Sequence, residues 1–258
     1  MLADDAFLRD VEEAPPTSLH LWWLGQSGFL VKSDDRHLLL DPYLSDSLTE
    51  KYAGTPTPHV RMTRRVVDPA RLSFVDVVTA SHGHTDHLDP VTLRALRPRT
   101  LVCPPGLRAL AFERAGVVPR VVDVDETVTV AGFEITAVPA EHDVPGGAVG
   151  FVVRCGPWTL YHSGDTVAYA GLGERLRPFA FDLAVLPING KLGNMDGRDA
   201  ARIAKEARAG LAIPCHFEMF EFNSASPDGF AAECAVLEQP CRVLRAGERL
   251  TLAATASA

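Results

Sequence analysis

The sequence predicts an α/β (α+β) protein built as a four-layer αββα sandwich, and three observations lead there. Short apolar runs separated by turn residues open each half of the chain, and helical stretches follow them, twice. That order suits two β-rich halves with helices outside better than strictly alternating βαβ units. Neither a low-complexity linker nor a short internal repeat interrupts the chain, and 258 residues are enough for one large domain with a sizeable core. The domain is expected over residues 19–258, after a polar lead-in at 1–18 that ends in Ala14-Pro15-Pro16-Thr17-Ser18.

The elements follow from local chemistry. Leu19–Leu24, Gly28–Lys32 and His37–Leu40 read as strands, with turn residues at Gly25-Gln26-Ser27 and Ser33-Asp34-Asp35 between them. Residues 45–71 carry Pro56, Pro58 and Pro69 but little periodicity, so a long irregular excursion is expected. Phe74–Thr79 reads as a buried strand running into a histidine cluster. Asp89 then suits a helix N-cap and Pro90 the first helical position. Leu101–Cys103 reads as a strand and Pro105–Ala115 as a helix ending at Gly116. Three β-rich runs from Val121 to Val138 turn at Asp125-Glu126 and Ala131-Gly132. Gly150–Arg154 and Trp158–His162 form the next hairpin. Ala184–Leu186 and Leu211–Cys215 are buried strands around a helix at Arg198–Ala209. Glu233–Leu237 is weakly helical, and Val243–Leu252 forms two short runs around Gly247.

Composition narrows the function. With 25 Lys and Arg against 33 Asp and Glu, the formal charge of −8 argues against a nucleic-acid partner, whose affinity comes largely from cations neutralising phosphates. A small anionic substrate needs only a local basic pocket. The five cysteines, Cys103, Cys155, Cys215, Cys234 and Cys241, are scattered without a C-x-x-C pair, which fits reduced thiols rather than a disulfide framework or a thiolate zinc site. The acidic start, Met1-Leu2-Ala3-Asp4-Asp5, is unlike a secretory signal, and no apolar run approaches the roughly 18 residues of a membrane span. A cytoplasmic protein with a small-molecule substrate and no membrane partner is expected; a homo-oligomer stays open.

The chemistry concentrates in Ser81-His82-Gly83-His84-Thr85-Asp86-His87, where three imidazoles and a carboxylate fall between an apolar strand and a helix cap. Residues two apart in an extended segment point the same way, so His82 and His84 can grip one metal. As the chain turns, Asp86 and His87 can reach a second position. Imidazole and carboxylate suit zinc, manganese or iron. Three more candidates follow later strands: His142 in Ala140-Glu141-His142-Asp143, Asp165 in Ser163-Gly164-Asp165, and His216 after Leu211–Cys215. His162 suits a supporting or packing role, whereas His20, His37 and His59 carry no signal and are expected to be structural or at the surface.

The run His82-Gly83-His84-Thr85-Asp86-His87 resembles the H-x-H-x-D-H motif of the metallo-β-lactamase superfamily, and His142, Asp165 and His216 stand in that superfamily's order. The resemblance implies the αββα fold and two divalent metal ions, zinc or manganese. His82, His84 and His142 would hold the first, Asp86, His87 and His216 the second, and Asp165 would bridge. It also implies that Asp41 is a buried aspartate orienting the metal loop without binding metal. The segments Trp22-Trp23-Leu24-Gly25, Tyr161-His162-Ser163-Gly164-Asp165 and Ile213-Pro214-Cys215-His216 together resemble the L-ascorbate-6-phosphate lactonase-like branch, as does Asn194–Ala200.

The expected function is therefore metal-dependent hydrolysis of a small, anionic metabolite, lactonase-like, by a metal-bound hydroxide generated at physiological pH. Asp86 would orient the nucleophile and carry a proton as the catalytic residue. The alternatives are a phosphodiesterase for cyclic or small nucleotides and, further off, a mono-iron oxidoreductase. Arg61, Arg64 and Arg65 on the long excursion are candidates for gripping an anion, and Lys191 and Asn194 in a glycine-rich loop are candidates for covering the substrate. Phe217, Phe220 and Phe222 are read as either an apolar wall or core.

Overall fold

The structure, a computed structural model, describes residues 2–253. Helix α1 (Asp4–Glu13) precedes a meander of β1 (Ser18–Gly25), β2 (Gly28–Ser33) and β3 (Arg36–Leu40). After a short helix, α2 (Ser47–Lys51), and an irregular stretch, the chain adds β4 (Val77–Thr79), α3 (Pro90–Leu96), β5 (Leu101–Cys103), α4 (Arg108–Ala115) and β6 (Arg120–Val121). A second series begins with β7 (Thr127–Val130), β8 (Phe133–Pro139), β9 (Val149–Cys155) and β10 (Trp158–His162). It continues through α5 (Leu172–Leu176), β11 (Leu183–Pro187), α6 (Gly197–Glu206), β12 (Leu211–Cys215) and α7 (Asp228–Val236) to β13 (Arg249–Ala253).

The strands form two sheets flanked by helices, as the sequence predicts. One runs β13-β1-β2-β3-β4-β5-β6, the other β12-β11-β10-β9-β8-β7. Each combines an antiparallel meander with a parallel part: β3 to β6 in the first sheet, β10 to β12 in the second. Because meander neighbours alternate in direction, β1 runs with β3 and β4, and β8 runs with β10 to β12. All these strands release their C-terminal ends at one edge, the place where ligand sites of parallel sheets form. Buried apolar side chains from both sheets, among them Trp22, Phe29, Phe133 and Phe151, fill the core.

Helix starts follow the capping chemistry. The Asp89 carboxylate accepts from Val91 and Thr92 amides and Pro90 opens α3, while Asp196 accepts from Arg198 and Asp199 amides to open α6. Helix α4 ends at Gly116, whose φ of 73° an L side chain would resist.

Three local expectations need correction. The expected lead-in over 1–18, described from residue 2, is not outside the core: Phe7 and Val11, one turn apart on α1, are buried, and Phe7 packs edge-on against Trp22 at 6.4 Å. The buried Lys32 ammonium donates to Val11 O at 3.0 Å and Ala14 O at 2.7 Å, meeting carbonyls that the helix end leaves unpaired. The strand expected over Phe74–Thr79 shrinks to Val77–Thr79 because Val75 N donates back to Leu72 O in a turn. Of the two runs around Gly247 only Arg249–Ala253 pairs, with β1. All five cysteines are free, and no helix among the described residues is long and apolar enough to cross a membrane.

The Phe7→Ala substitution should destabilise the protein by about 3–5 kcal/mol, since it empties a fully buried aromatic site. Denaturant unfolding of variant and parent checks this, and a change under about 1 kcal/mol would show that α1 docks without supporting the core.

Candidate metal centre

Every candidate ligand leaves the end of a strand on the shared edge. The loop after β4 carries His82, His84, Asp86 and His87 and closes at Asp89, the cap of α3; His142 follows β8, Asp165 follows β10, and His216 follows β12. The structure brings all seven side chains together. Asp165 Oδ2 lies 4.0 Å from His82 Nε2, 3.9 Å from His142 Nε2 and 3.3 Å from His216 Nε2, and its Oδ1 lies 3.2 Å from His87 Nε2. His142 Nε2 stands 3.2 Å from His84 Nδ1, and Asp86 Oδ2 stands 3.4 Å from His216 Nε2. Three groups of donors lie close enough to share an ion: His82, His84, His142 and Asp165; Asp86, His87 and His216; and Asp41, His82 and His87, of which the first two divide the seven candidate ligands between them.

These residues fit divalent ions. His82 Nε2, His87 Nε2 and Asp165 Oδ1 are buried without a hydrogen-bond partner, an unfavourable arrangement for polar atoms unless a ligand satisfies them. Donors bonded at about 2.0–2.1 Å to a tetrahedral ion stand roughly 3.4 Å apart, comparable with the spacings above. The electrostatics agree. Burial opposes charge on His87 and His216, yet the neighbouring Asp165 and Asp86 carboxylates hold His87 well above the usual histidine range and His216 up to about 9. The clustered carboxylates thus draw positive charge into a buried space. His82, by contrast, is held well below the usual range by burial, which leaves it neutral and able to coordinate.

Hydrogen bonds on the far side of the His87 and His142 rings set their orientation. His87 Nδ1 donates to Asp41 Oδ2 at 2.7 Å, which turns His87 Nε2 into the cluster. Asp41 also accepts from Ser81 N at 2.9 Å and from the Ser81 hydroxyl, whose oxygen is 3.1 Å from His82 Nδ1. His142 Nδ1 donates to Gly193 O at 3.0 Å, and His162 Nε2 donates to Ser27 O at 2.8 Å, so His162 supports the turns around the site. Gly164 is needed for close approach. Its φ is 57°, and a Cβ there would lie 2.6 Å from the Ser81 side chain.

Two residues with no ligand signal in the sequence join the centre. The buried Gln26, in the turn between β1 and β2, donates Nε2 to Asp86 Oδ2 at 2.7 Å and sits 3.0 Å from His216 Nε2. Arg114, in the last turn of α4, donates from Nη1 to Gly83 O at 2.9 Å and Leu88 O at 3.0 Å, clamping the metal loop at both ends. Gln26 resembles any turn residue and Arg114 any surface arginine until tertiary contacts are known.

The cluster floors a cleft of about 290 Å³. Of the substrate candidates, Asn194 lines it; Arg61, Arg64, Arg65 and Lys191 do not. Arg61 is occupied by Asp46, Thr63 O and Ser45 O and covers the Tyr43 ring. Arg64 pairs with Asp4, Arg65 is exposed away from the cleft, and Lys191 Nζ donates to Phe222 O. His59, expected to carry no role, lines the cleft with Phe220 and Phe222, whereas Phe217 stacks on Trp23 at 4.6 Å.

Residues 36–217 match the model of the beta-lactamase superfamily domain. A UPF0173 metal-dependent hydrolase of Methanopyrus kandleri is 32% identical over 234 residues, 83% of this chain and 91% of that relative. The chain belongs to the beta-lactamase superfamily and is one of its metal-dependent hydrolases. Among solved structures, an isothiocyanate hydrolase from Delia radicum gut bacteria superposes with a TM-score of 0.76 at 21% identity, covering 91% of this chain and 100% of that one. Igni18, a metallo hydrolase of Ignicoccus hospitalis, gives 0.70 at 24%, covering 92% and 99%. At these identities the superpositions speak for the fold of the hydrolase.

Replacing Asp41 with Asn keeps the shape but removes the charge behind His87. The hydrolase should then bind zinc about 10- to 100-fold more weakly, measured by competition with a chromophoric chelator. Unchanged affinity would show that Asp41 serves folding alone.

Proposed function

We propose that the hydrolase acts with two divalent ions, zinc or manganese, on a lactone or related ester of a small molecule. The observation that carries this reading is the position of Asp165, whose two carboxylate oxygens face donors of both sets. His82, His84 and His142 would hold one ion and Asp86, His87 and His216 the other, with Asp165 shared. Such ions supply Lewis acidity and a water acidified towards neutral pH. Two complete donor sets favour hydrolysis over the chemistry of a single iron.

The chain's own residues supply orientation and proton movement. Asp86 lines the cleft, and the amide of Gln26 fixes one of its oxygens, so the carboxylate is placed to orient the attacking water and to pass a proton towards the leaving group. The burial of Asp165, His87 and His216 keeps bulk water from these charges and strengthens their interactions. The likeness of Trp22–Gly25, Tyr161–Asp165 and Ile213–His216 to the lactonase-like branch supports the choice of bond.

Dialysis against a chelator should abolish hydrolysis of a simple lactone, and two equivalents of zinc or manganese per chain should restore it; full activity at one equivalent would overturn the two-ion reading. The Asp165→Asn variant should lose bound metal and turnover together, measured by elemental analysis and kcat. Turnover of an activated diester in preference to the lactone would move the hydrolase to phosphodiester chemistry.

A further inference from the structure

We infer that the cleft beside the metal cluster is a subsite for a neutral, planar apolar group, so that the substrate is an aryl-bearing ester or lactone rather than a phosphorylated sugar, with Asn194 binding its polar edge. The inference rests on the hydrolase reading above and adds the substrate's chemistry to it.

One part of the cleft is aromatic. His59 stacks on Tyr52 with ring centroids 4.1 Å apart and planes 19° apart, and it packs on Phe222 at 4.4 Å and Phe220 at 5.0 Å. Together these rings make a continuous wall, and Leu192, 68% exposed, adds an apolar side chain at the mouth. Aromatic faces of this kind reward a planar apolar partner in offset or edge contact.

A second part is polar but uncharged. Asn194 is only 8% exposed, yet neither its Oδ1 nor its Nδ2 has a hydrogen-bond partner. Asn189 Nδ2 is used by Asn223 Oδ1 and Lys191 O, while its own Oδ1 is left without one. A carboxamide buried with both ends unpaired is costly, and turning the Asn194 side chain into the cleft it lines lets a ligand complete it. A carboxamide recognises a carbonyl, ether or hydroxyl and, having no charge, gives no special advantage to a phosphate.

Away from the metal cluster, the charges present count against an anionic group. Lys51 and Arg114 are the lysine and the arginine among the described lining residues. Arg114 already donates to Gly83 O and Leu88 O, and Lys51 is exposed, 5.1 Å from the Tyr52 ring centroid. Nothing here offers the forked guanidinium that phosphate recognition favours. Hydrolysis of an aryl-bearing ester is balanced by water alone. The water oxygen bonds to the acyl carbon, the acyl carbon–oxygen bond breaks, one water proton passes to the departing oxygen, and the acid releases the other.

The test compares kcat/KM of the metal-loaded protein for methyl phenylacetate, methyl acetate and 6-phosphogluconolactone, beside benzamide and acetamide binding to parent, Phe222→Ala and Asn194→Ala proteins by calorimetry. Methyl phenylacetate should exceed methyl acetate by about tenfold or more, with the phosphorylated lactone poorest, and Phe222→Ala should shrink that ratio. Benzamide should bind more tightly than acetamide, and each variant should weaken it about tenfold. Equal rates for the two esters, or preference for the phosphorylated lactone, would overturn the subsite. If none of the three is hydrolysed, the ester reading fails separately, and the benzamide comparison still decides the subsite: no preference over acetamide, or equal binding by Phe222→Ala, overturns it.

Discussion

A fully buried carboxylate, Asp41, is the constraint on which the rest of the centre depends. A buried charge is tolerated only when it is paired and hydrogen-bonded, and this one has four donors: Ser81 N, the Ser81 hydroxyl, His87 Nδ1 and, at 3.5 Å, the Thr79 hydroxyl. It sits one residue beyond the last paired position of β3 and β4, Leu40 beside Thr79. The two strands therefore determine where the metal loop begins, and the carboxylate determines how it turns. With the His87 Nδ1–H donating to Asp41, only Nε2 is left to face the cluster. The Ser81 side chain, held by the same carboxylate, is the surface against which Gly164 packs, and that close approach brings Asp165 of the second sheet into place.

The metal centre is consequently also the seam between the two sheets. Gln26 comes from the first meander, Asp86 from the loop after β4, His216 from the end of β12, and Gln26 touches both of the others. Placing the half-buried Asp86 and the buried Asp165 in one cluster would be unfavourable without positive charge, and His87 and His216 respond by holding protons more strongly. A divalent cation meets the same need with more charge and satisfies the orphan nitrogens too. The free energy of binding metal here would therefore contribute to the stability of the fold as well as to its chemistry.

How much of this was legible depends on the range of the interactions. The seven candidate ligands could be read because each is an imidazole or carboxylate directly after an apolar strand, a pattern contained within a few residues. The β1–β3 meander, the hairpin of β9 and β10, and the caps at Asp89 and Gly116 rest on equally local chemistry. Helix α1 was hidden because only Phe7 and Val11 mark its buried face among acidic neighbours, and its end is completed by Lys32, far along the chain. Gln26 and Arg114 act through partners 60 and 31 residues away, which no window of sequence shows. His59 became part of the cleft only through rings brought from either side of it in the fold.

The three arginines of the long excursion show the same limit in a more instructive way. A sequence records a guanidinium's charge but not where its donors go. Arg61 spends its donors on Asp46, Thr63 O and Ser45 O, and its backbone bridges to Phe220. Met62 N donates to Met219 O and Glu221 N to Val60 O, so the excursion is stitched to the segment that follows His216. Phe220 and Phe222 of the aromatic wall thus share one short piece of chain with a candidate metal ligand, and the stitching holds Tyr52 and His59 against them beside the cluster. The Arg61 charge that resembles a phosphate grip in the sequence is, in the folded protein, the staple that holds an apolar surface beside the histidine and aspartate cluster.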